Sequence, residues 1–403
     1  MISINYYIKK INRAWKDDTL WGKIKSFLAI IIIRPLVIIP SYLKLNRVER
    51  RRNVRVGFYD HRKNREHHIS NQDHIHRIIE AYNKSKDRQD EVKSVFRIKG
   101  LWAEWISINF QDLINALESK NIKILSSLFE NMHREIFTIG MGGYEHIRNY
   151  KSLLGKIYIK YVWNDYYNKL KLFDYDPNKI ITPLIGNPTG VLYNNNIISI
   201  DTLRNAYHAY EMYHLLMDVP KAKIVEIGGG CGSQAYQMIQ MENNNISKYY
   251  IFDIPEVIAI SSYFLLSALP HKKILLYGEI NDKENINDQY DLILLPHFEI
   301  EKLKDSSVDL FFNSCSFSEM DSDSASKYLE VIERSCRKYF YHNNHDQAHR
   351  YRNPNGTIST NIIGSKLIPN QNLFKRIYKK PRIHGLPEDK KIPHFEYLYE
   401  RLK

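Results

Sequence analysis

An α/β fold, with a Rossmann-like parallel sheet behind a mainly helical N-terminal domain, is predicted by three features of this 403-residue chain. From about residue 216, short apolar strands alternate with helical segments, the pattern of a parallel sheet with crossover helices. The first of these strands runs directly into a glycine cluster, Gly228-Gly229-Gly230-Cys231-Gly232, that opens a helix. Between residues 67 and 215 apolar residues recur instead at three and four positions, the period of amphipathic helices.

Length allows a catalytic domain of about 200 residues and a second unit of similar size. The composition, 43% hydrophobic and 12% aromatic, is that of a globular chain. The three cysteines, Cys231, Cys315 and Cys336, show no metal-ligand spacing and are odd in number, which fits a reducing compartment better than a disulfide framework. The net charge is +13, but residues 1–66 carry 16 Lys/Arg against 5 Asp/Glu and so account for +11 of it. A nucleic-acid enzyme would be expected to carry its basic surface around the site. No nucleic-acid partner is therefore expected.

That basic arm, residues 1–66, also holds the most apolar run, Phe27 to Ile33, then Arg34-Pro35, then Leu36 to Ile39. The run is too interrupted for a signal peptide and shorter than the roughly 20 residues of a spanning helix. Lys23 and Lys25 precede it, and Arg47, Arg50, Arg51, Arg52 and Arg55 follow it. Apolar residues flanked by cations suit the surface of an anionic leaflet. A buried helix kinked at Pro35 is the competing expectation. The location expected is cytoplasmic, peripheral on the inner face of the cell membrane.

The second region, residues 67–215, is expected to be a helical acceptor or lid domain. His74 to Tyr82 and Trp105 to Leu117 show helical apolar spacing, and Ile180 to Gly190, with two prolines and two glycines, reads as a loop. In the third, residues 216–403, strands are expected at 223–227, 249–253, 292–295, 308–312 and 339–342, with an extra one at 273–277. Helices are expected at 233–241 and 324–336, and the last two strands in the remainder.

In the turn after the first strand, glycine permits tight backbone angles and lets a ligand approach the main chain. Asp253 ends the second strand, 21 residues beyond Gly232, where an acid can take a ribose hydroxyl pair. Together these point to an adenosine-containing ligand. Gly230-Cys-Gly232-Ser-Gln-Ala235 also satisfies the G-x-G-x-x-A pattern of dinucleotide sites, so an NAD-dependent enzyme stays open. Two features favour S-adenosyl-L-methionine: the acid Glu226 just before the turn, and the run Asp253-Ile254-Pro255-Glu256-Val257.

The elements Gly186-Asn187-Pro188, Glu226 to Gly230, Asp309 to Met320 and Tyr339 to Asn344 together resemble a bacterial family of sugar O-methyltransferases associated with surface-polysaccharide clusters. Its most specific piece is N-x-x-S-F-x-E-M, here Asn313 to Met320. The resemblance covers about residues 180–350, and Cys231 stands where the family often has an aromatic residue. It implies a class I methyltransferase sheet, methyl transfer to a sugar hydroxyl, and an acceptor glycan that could be lipid-linked.

An alcohol is a weak nucleophile at neutral pH, so a general base must reach it. Ligands of an open α/β sheet lie at the carboxyl ends of its strands, which makes Glu319, His342 and His345 the candidate bases. The expected cofactor-binding residues are Glu226, Gly228, Gly230, Gly232, Asp253, Ile254, Pro296, His297 and Asn313. No metal site is expected, since Asp321-Ser-Asp323 reads as a helix cap. A non-catalytic membrane-associated scaffold with the same fold is the alternative of a different class.

Overall fold

The computed structural model describes residues 55–57, 71–89, 91–144, 147–172, 175–193, 196–241, 245–280, 289–352, 358–382 and 394–402, with positions 39 and 43. The arm expected at residues 1–66, with its apolar run 27–40 and its expected membrane contact, lies almost wholly outside the described residues. Among the described residues no helix is long and apolar enough to cross a membrane.

Strand β1 (Arg55–Gly57) pairs antiparallel with β2 (Gly190–Tyr193), and β2 with β3 (Asn196–Ile198). Helix α1 (Gln72–Gln89) buries Ile75, Ile78, Ile79 and Tyr82 on one face, the spacing that the sequence predicts. Residues 105–117, expected as one helix, form two, α2 (Gly100–Asn109) and α3 (Gln111–Glu118). The break falls at Phe110, which leaves the helix line to pack edge-on against Trp102 and beside Phe137. Helix α4 (Ile122–Phe129) follows, capped by the Asn121 side chain.

These helices share their hydrophobic core with the sheet. Phe129 stacks on Tyr263 at 4.5 Å between centroids, a contact worth about 1 kcal/mol beyond its area. Lys86 and Arg77 of α1 reach Glu256 and Glu279, at 2.9 and 2.6 Å. A second, largely aromatic cluster joins α5 (Leu153–Leu172) to β2, β3 and the first half of α6 (Ile200–Leu216).

The main sheet contains β4 (Ala222–Ile227), β5 (Ile246–Asp253), β6 (Ile274–Leu276), β7 (Leu292–Pro296), β8 (Val308–Ser314), β9 (Cys336–His345), β12 (Phe374–Pro381) and β13 (His394–Arg401), ordered β12-β13-β9-β8-β4-β5-β7-β6. A separate hairpin pairs β10 (Arg350–Arg352) with β11 (Ile358–Thr360). Buried runs such as Ile-Val-Glu-Ile in β4 and Leu-Phe-Phe in β8 are what a parallel sheet covered on both faces requires. The crossover helices are α7 (Ser233–Ile239), α8 (Pro255–Ala268) and α9 (Ser322–Ser335). The extra strand expected at 273–277 sits at the edge beside β7.

Only β13 runs against the others, inserted between β9 and β12. That insertion separates this sheet from the dinucleotide-binding order 3-2-1-4-5-6 and gives the Rossmann-like sheet of the class I methyltransferases. The chain leaves β4 toward β5 and β7, then returns to β8 and β9 on the other side. The switch point, where such sheets hold ligands, therefore lies beyond the carboxyl ends of β4 and β8.

Candidate active site

The turn after β4 uses left-handed backbone at Gly228, Gly230 and Gly232, with φ of +77°, +53° and +80°. At Gly228 glycine is also a matter of space, because a Cβ there would meet Ser316 Oγ at 2.2 Å. Asp253, ending β5, closes the turn. Its Oδ2 accepts the Gly230 N–H at 3.0 Å and its Oδ1 the Ile254 N–H at 2.8 Å. Burial pushes its carboxyl up to about 7, against the pull of those amides.

Glu226 is buried at the base of the turn and accepts the Tyr249 hydroxyl at 2.9 Å. Burial raises its pKa to about 8, so at neutral pH much of it is protonated and can donate as well as accept.

A cavity of about 330 Å³ opens above these groups. Its floor is Glu226, Gly228, Gly230, Asp253 and Ile254, and His297 and Glu319 stand at its walls. Trp102 and Trp105 of α2 and Met141 form its roof, while Arg204 and Gln234 face it from the helical side. The glycines, the acid beside them and the apolar lining fit an adenosine-containing cofactor such as S-adenosyl-L-methionine.

Glu319 sits in the short turn after β8. It accepts the Trp102 indole N–H at 2.7 Å, and burial raises its carboxyl to about 7 despite that bond. A carboxylate poised there suits a general base at neutral pH. His297, just past the end of β7, gives its Nε2–H to the Phe96 carbonyl, and burial lowers its pKa to about 4. It is a neutral ring in the cavity wall.

The remaining expected residues lie elsewhere. Asn313 does not face the cavity. It is buried, donating to the Ile227 carbonyl at 2.8 Å and to Ser316 Oγ at 2.5 Å while accepting from Asn344 at 2.8 Å. It fixes the turn from behind. Gly232 caps α7 against Leu265, and Pro296 ends β7 opposite Asp253.

His342 and His345 are not in the cavity wall either. His342 is wholly buried, stacked on Tyr397 at 4.6 Å, and burial drives its pKa down to about 3. Strand alternation explains this. Tyr341 and Asn343 point to His208, and His342 points the other way into aromatic packing. His345 stacks on His394 at 5.3 Å, its pKa lowered first by burial. Asp321 caps α9 through the Ser324 N–H, and among the described residues no group of three or more His, Cys, Asp or Glu is placed to hold a metal ion.

The roof was missed by sequence reasoning. Trp102 and Trp105 stand three apart on one helix face, a spacing that reads equally well as core. Arg204 carried no signal in any motif.

No family model and no curated protein matches the chain. Among solved structures it is similar to the N-terminal domain of EvdMO1 in the presence of SAH and D-fucose, at 8% identity over 49% of this chain and 83% of that one, TM-score 0.34. It is similar also to the Burkholderia thailandensis 1,6-didemethyltoxoflavin-N1-methyltransferase with bound 1,6-didemethyltoxoflavin and S-adenosylhomocysteine, at 13% identity over 49% and 79%, TM-score 0.32. The [4+2]-cyclase SpnF is a third, at 12% identity over 48% and 80%, TM-score 0.34.

Proposed function

We propose that this chain is an S-adenosyl-L-methionine-dependent O-methyltransferase that transfers a methyl group to a sugar hydroxyl. The observation that carries the reading is the convergence in one cavity of the glycine turn, the Asp253 carboxylate tied to Gly230, and the Glu319 carboxyl poised near neutral pH.

The cofactor, when bound, supplies an electrophilic methyl. Glu226, Gly228, Gly230, Asp253, Ile254 and His297 would hold it, with the Asp253 carboxylate available to its ribose hydroxyls. The acceptor enters at the β8 side, beside Ser314 and Cys315. Glu319 would take the proton of the acceptor hydroxyl as its oxygen forms the new C–O bond and the methyl–sulfur bond breaks, with S-adenosylhomocysteine as the leaving group. Trp102, by donating to Glu319, fixes that carboxylate's direction and roofs the site against water. In-line alignment in the cavity supplies much of the rate.

The sugar acceptor is supported by the Asn313-to-Met320 segment and its family resemblance. On this reading the protein works in bacterial surface-polysaccharide assembly, on a lipid-linked or nascent glycan, with residues 1–66 holding it to the inner leaflet. The test is incubation of the protein with labelled cofactor and a glycan extract of its own host, with the methylated sugar located by mass spectrometry. Label in a sugar methyl ether is expected. Cofactor binding without any labelled acceptor would favour a scaffold, and hydride transfer with NAD would replace the reading altogether.

A further inference from the structure

Ser314, Asn343 and Glu396 form one row across three strands. Asn343 of β9 lies in register with Ser314 of β8 on one side and with Glu396 of β13 on the other. Partners in register put their side chains on the same face of a sheet, here the face that meets Tyr207 and His208 of α6. His208 stands one turn beyond Arg204, which lines the cavity.

Glu396 and His208 are wholly buried, and from the carboxylate the direction of each hydrogen bond follows in turn. Glu396 is paired with Lys380 at 3.5 Å, and an ionised carboxylate only accepts. Tyr341 therefore gives it a hydroxyl proton at 3.1 Å, as Tyr207 does at 3.3 Å. The Tyr341 oxygen is left to accept from His208 Nδ1, 2.8 Å away. Burial, then the charges of Arg382, Arg204 and Lys380, holds His208 neutral. With its proton on Nδ1, its other nitrogen must accept. It does so from Asn343 Nδ2 at 3.1 Å, and the same amide nitrogen donates to Ser314 Oγ at 2.9 Å.

The opposite arrangement is less favourable. Turning the Asn343 amide over would face its oxygen to His208 and Ser314 and require the proton on Nε2. Nδ1 would then take the Tyr341 proton, and the buried carboxylate would lose a donor, at a cost of about 1–3 kcal/mol.

The chain of bonds ends at the cavity. Ser314 is half-buried at the end of β8 and lines the cavity. Its oxygen accepts from Asn343, and among the described residues the partner of its own proton is Cys315 Sγ, a weak acceptor at 3.9 Å. Strands β5 and β8 flank β4, which puts Ser314 about 10 Å across the sheet from Asp253, two strand spacings. With the ribose at Asp253, the Ser314 hydroxyl falls on the side where the acceptor enters.

We infer that Ser314 binds the acceptor: its hydroxyl proton, turned outward by the chain from Glu396 through Tyr341, His208 and Asn343, is given to an oxygen of the sugar. His208 is a positioning residue that acts on the acceptor only through Asn343 and Ser314. The inference rests on the methyltransferase reading for the identity of its ligand, while the direction of the chain stands on its own geometry.

The test has a spectroscopic arm and a binding arm, both on the full chain. In long-range proton–nitrogen spectra of histidine-labelled protein, His208, identified by the signals lost in His208→Gln, should carry its proton on Nδ1. Tyr341→Phe should move that proton to Nε2. For binding, protein saturated with S-adenosylhomocysteine is titrated with a glycan extract of its host and followed by saturation-transfer difference. Ser314→Ala should weaken the extract about three- to ten-fold, the worth of one hydrogen bond, and Ser314→Thr should retain it. Tyr341→Phe, remote from the cavity, should weaken it in the same sense. S-adenosylhomocysteine affinity should not change in any of them.

The inference is overturned if Ser314→Ala binds the extract like the wild type, or if the extract does not bind at all. It is equally overturned if Ser314→Ala weakens S-adenosylhomocysteine about ten-fold, because the hydroxyl would then serve the cofactor. A wild-type His208 proton on Nε2 would return the Ser314 proton to Asn343 and sink the inference even if no variant folds. Unchanged extract binding in Tyr341→Phe, with the proton moved, would end the positioning role of His208. An extract that binds, weakens in Ser314→Ala and never takes a labelled methyl removes the methyltransferase reading and leaves Ser314 as a ligand donor. Equal methyl transfer by Ser314→Ala and the wild type does the reverse.

Discussion

Trp102 donates its indole N–H to the carboxylate of Glu319 at 2.7 Å, across 217 residues of sequence. The bond joins the helical layer to the turn after β8, so the roof of the cavity and the proposed base are one unit. Glu319→Gln should keep the size and the Trp102 bond but remove the proton acceptor. Turnover with saturating cofactor should fall by about a hundredfold or more, with S-adenosylhomocysteine affinity little changed. Loss of cofactor binding with no further effect on turnover would assign Glu319 to the cofactor instead.

The same pair predicts a pH limb. Glu319 acts deprotonated, and burial holds its pKa at about 7, so activity should rise as pH increases through 7. The Trp102 bond favours the charged form, opposing the burial. Trp102→Phe removes it and should move the limb to higher pH. A pH–rate profile of the variant that superimposes on the wild type would show that the bond does not tune the base.

Asp253 supplies a second separable effect. Asp253→Asn can still accept the Gly230 N–H through its amide oxygen, so the turn should survive, but the charged acceptor for the ribose hydroxyls is gone. Calorimetry with S-adenosylhomocysteine should show affinity lower by about ten- to a hundredfold, the worth of charge-assisted hydrogen bonds. Gly228→Ala is harsher. Its Cβ would meet Ser316 at 2.2 Å, and its φ of +77° suits glycine, with strain of about 1–3 kcal/mol. Cofactor binding should be lost there even where circular dichroism shows a folded chain.

Local chemistry made the glycine turn and Asp253 legible, because a strand, a tight turn and an acid follow one another within 30 residues. The positions of the parallel strands along the chain were legible for the same reason, each apolar run being bounded by its own breakers, but their order in the sheet was not. What was not legible depended on distance. The tryptophans of α2 have the spacing of core residues, and only the tertiary fold turns them onto the cavity. His342, expected just past a strand, lies within β9, and the two-residue alternation of that strand sends its ring to Tyr397.

His342 therefore predicts stability more than catalysis. Its ring stacks on Tyr397 and Tyr399 in a closed aromatic layer. His342→Ala should cost about 3 kcal/mol in a urea titration, the range of large-to-small core changes. Turnover per folded molecule should be retained. A large loss of turnover in the folded fraction would return His342 to the site.

Glu226, with Asp253 and Glu319, gives the stability curve its alkaline side. Its carboxyl titrates near the ordinary value of 4.5 in the unfolded chain and at about 8 when folded, chiefly because burial disfavours the charge. Between those values the folded state holds the proton more tightly than the unfolded state does. Its contribution is therefore present in full below about pH 4.5 and is lost as pH rises toward 8. The buried histidines work in the opposite sense. His133, His297 and His342, lowered to about 4, 4 and 3 by burial, cost stability as pH falls below their ordinary 6.5. Glu226→Gln removes only the first of these. Urea midpoints measured from pH 5 to 9 should decline with rising pH less steeply in the variant than in the wild type, while the acid limb stays the same. Parallel declines in the two proteins would mean that Glu226 is already ionised in the fold, with Tyr249 and a bound cation or water holding its charge.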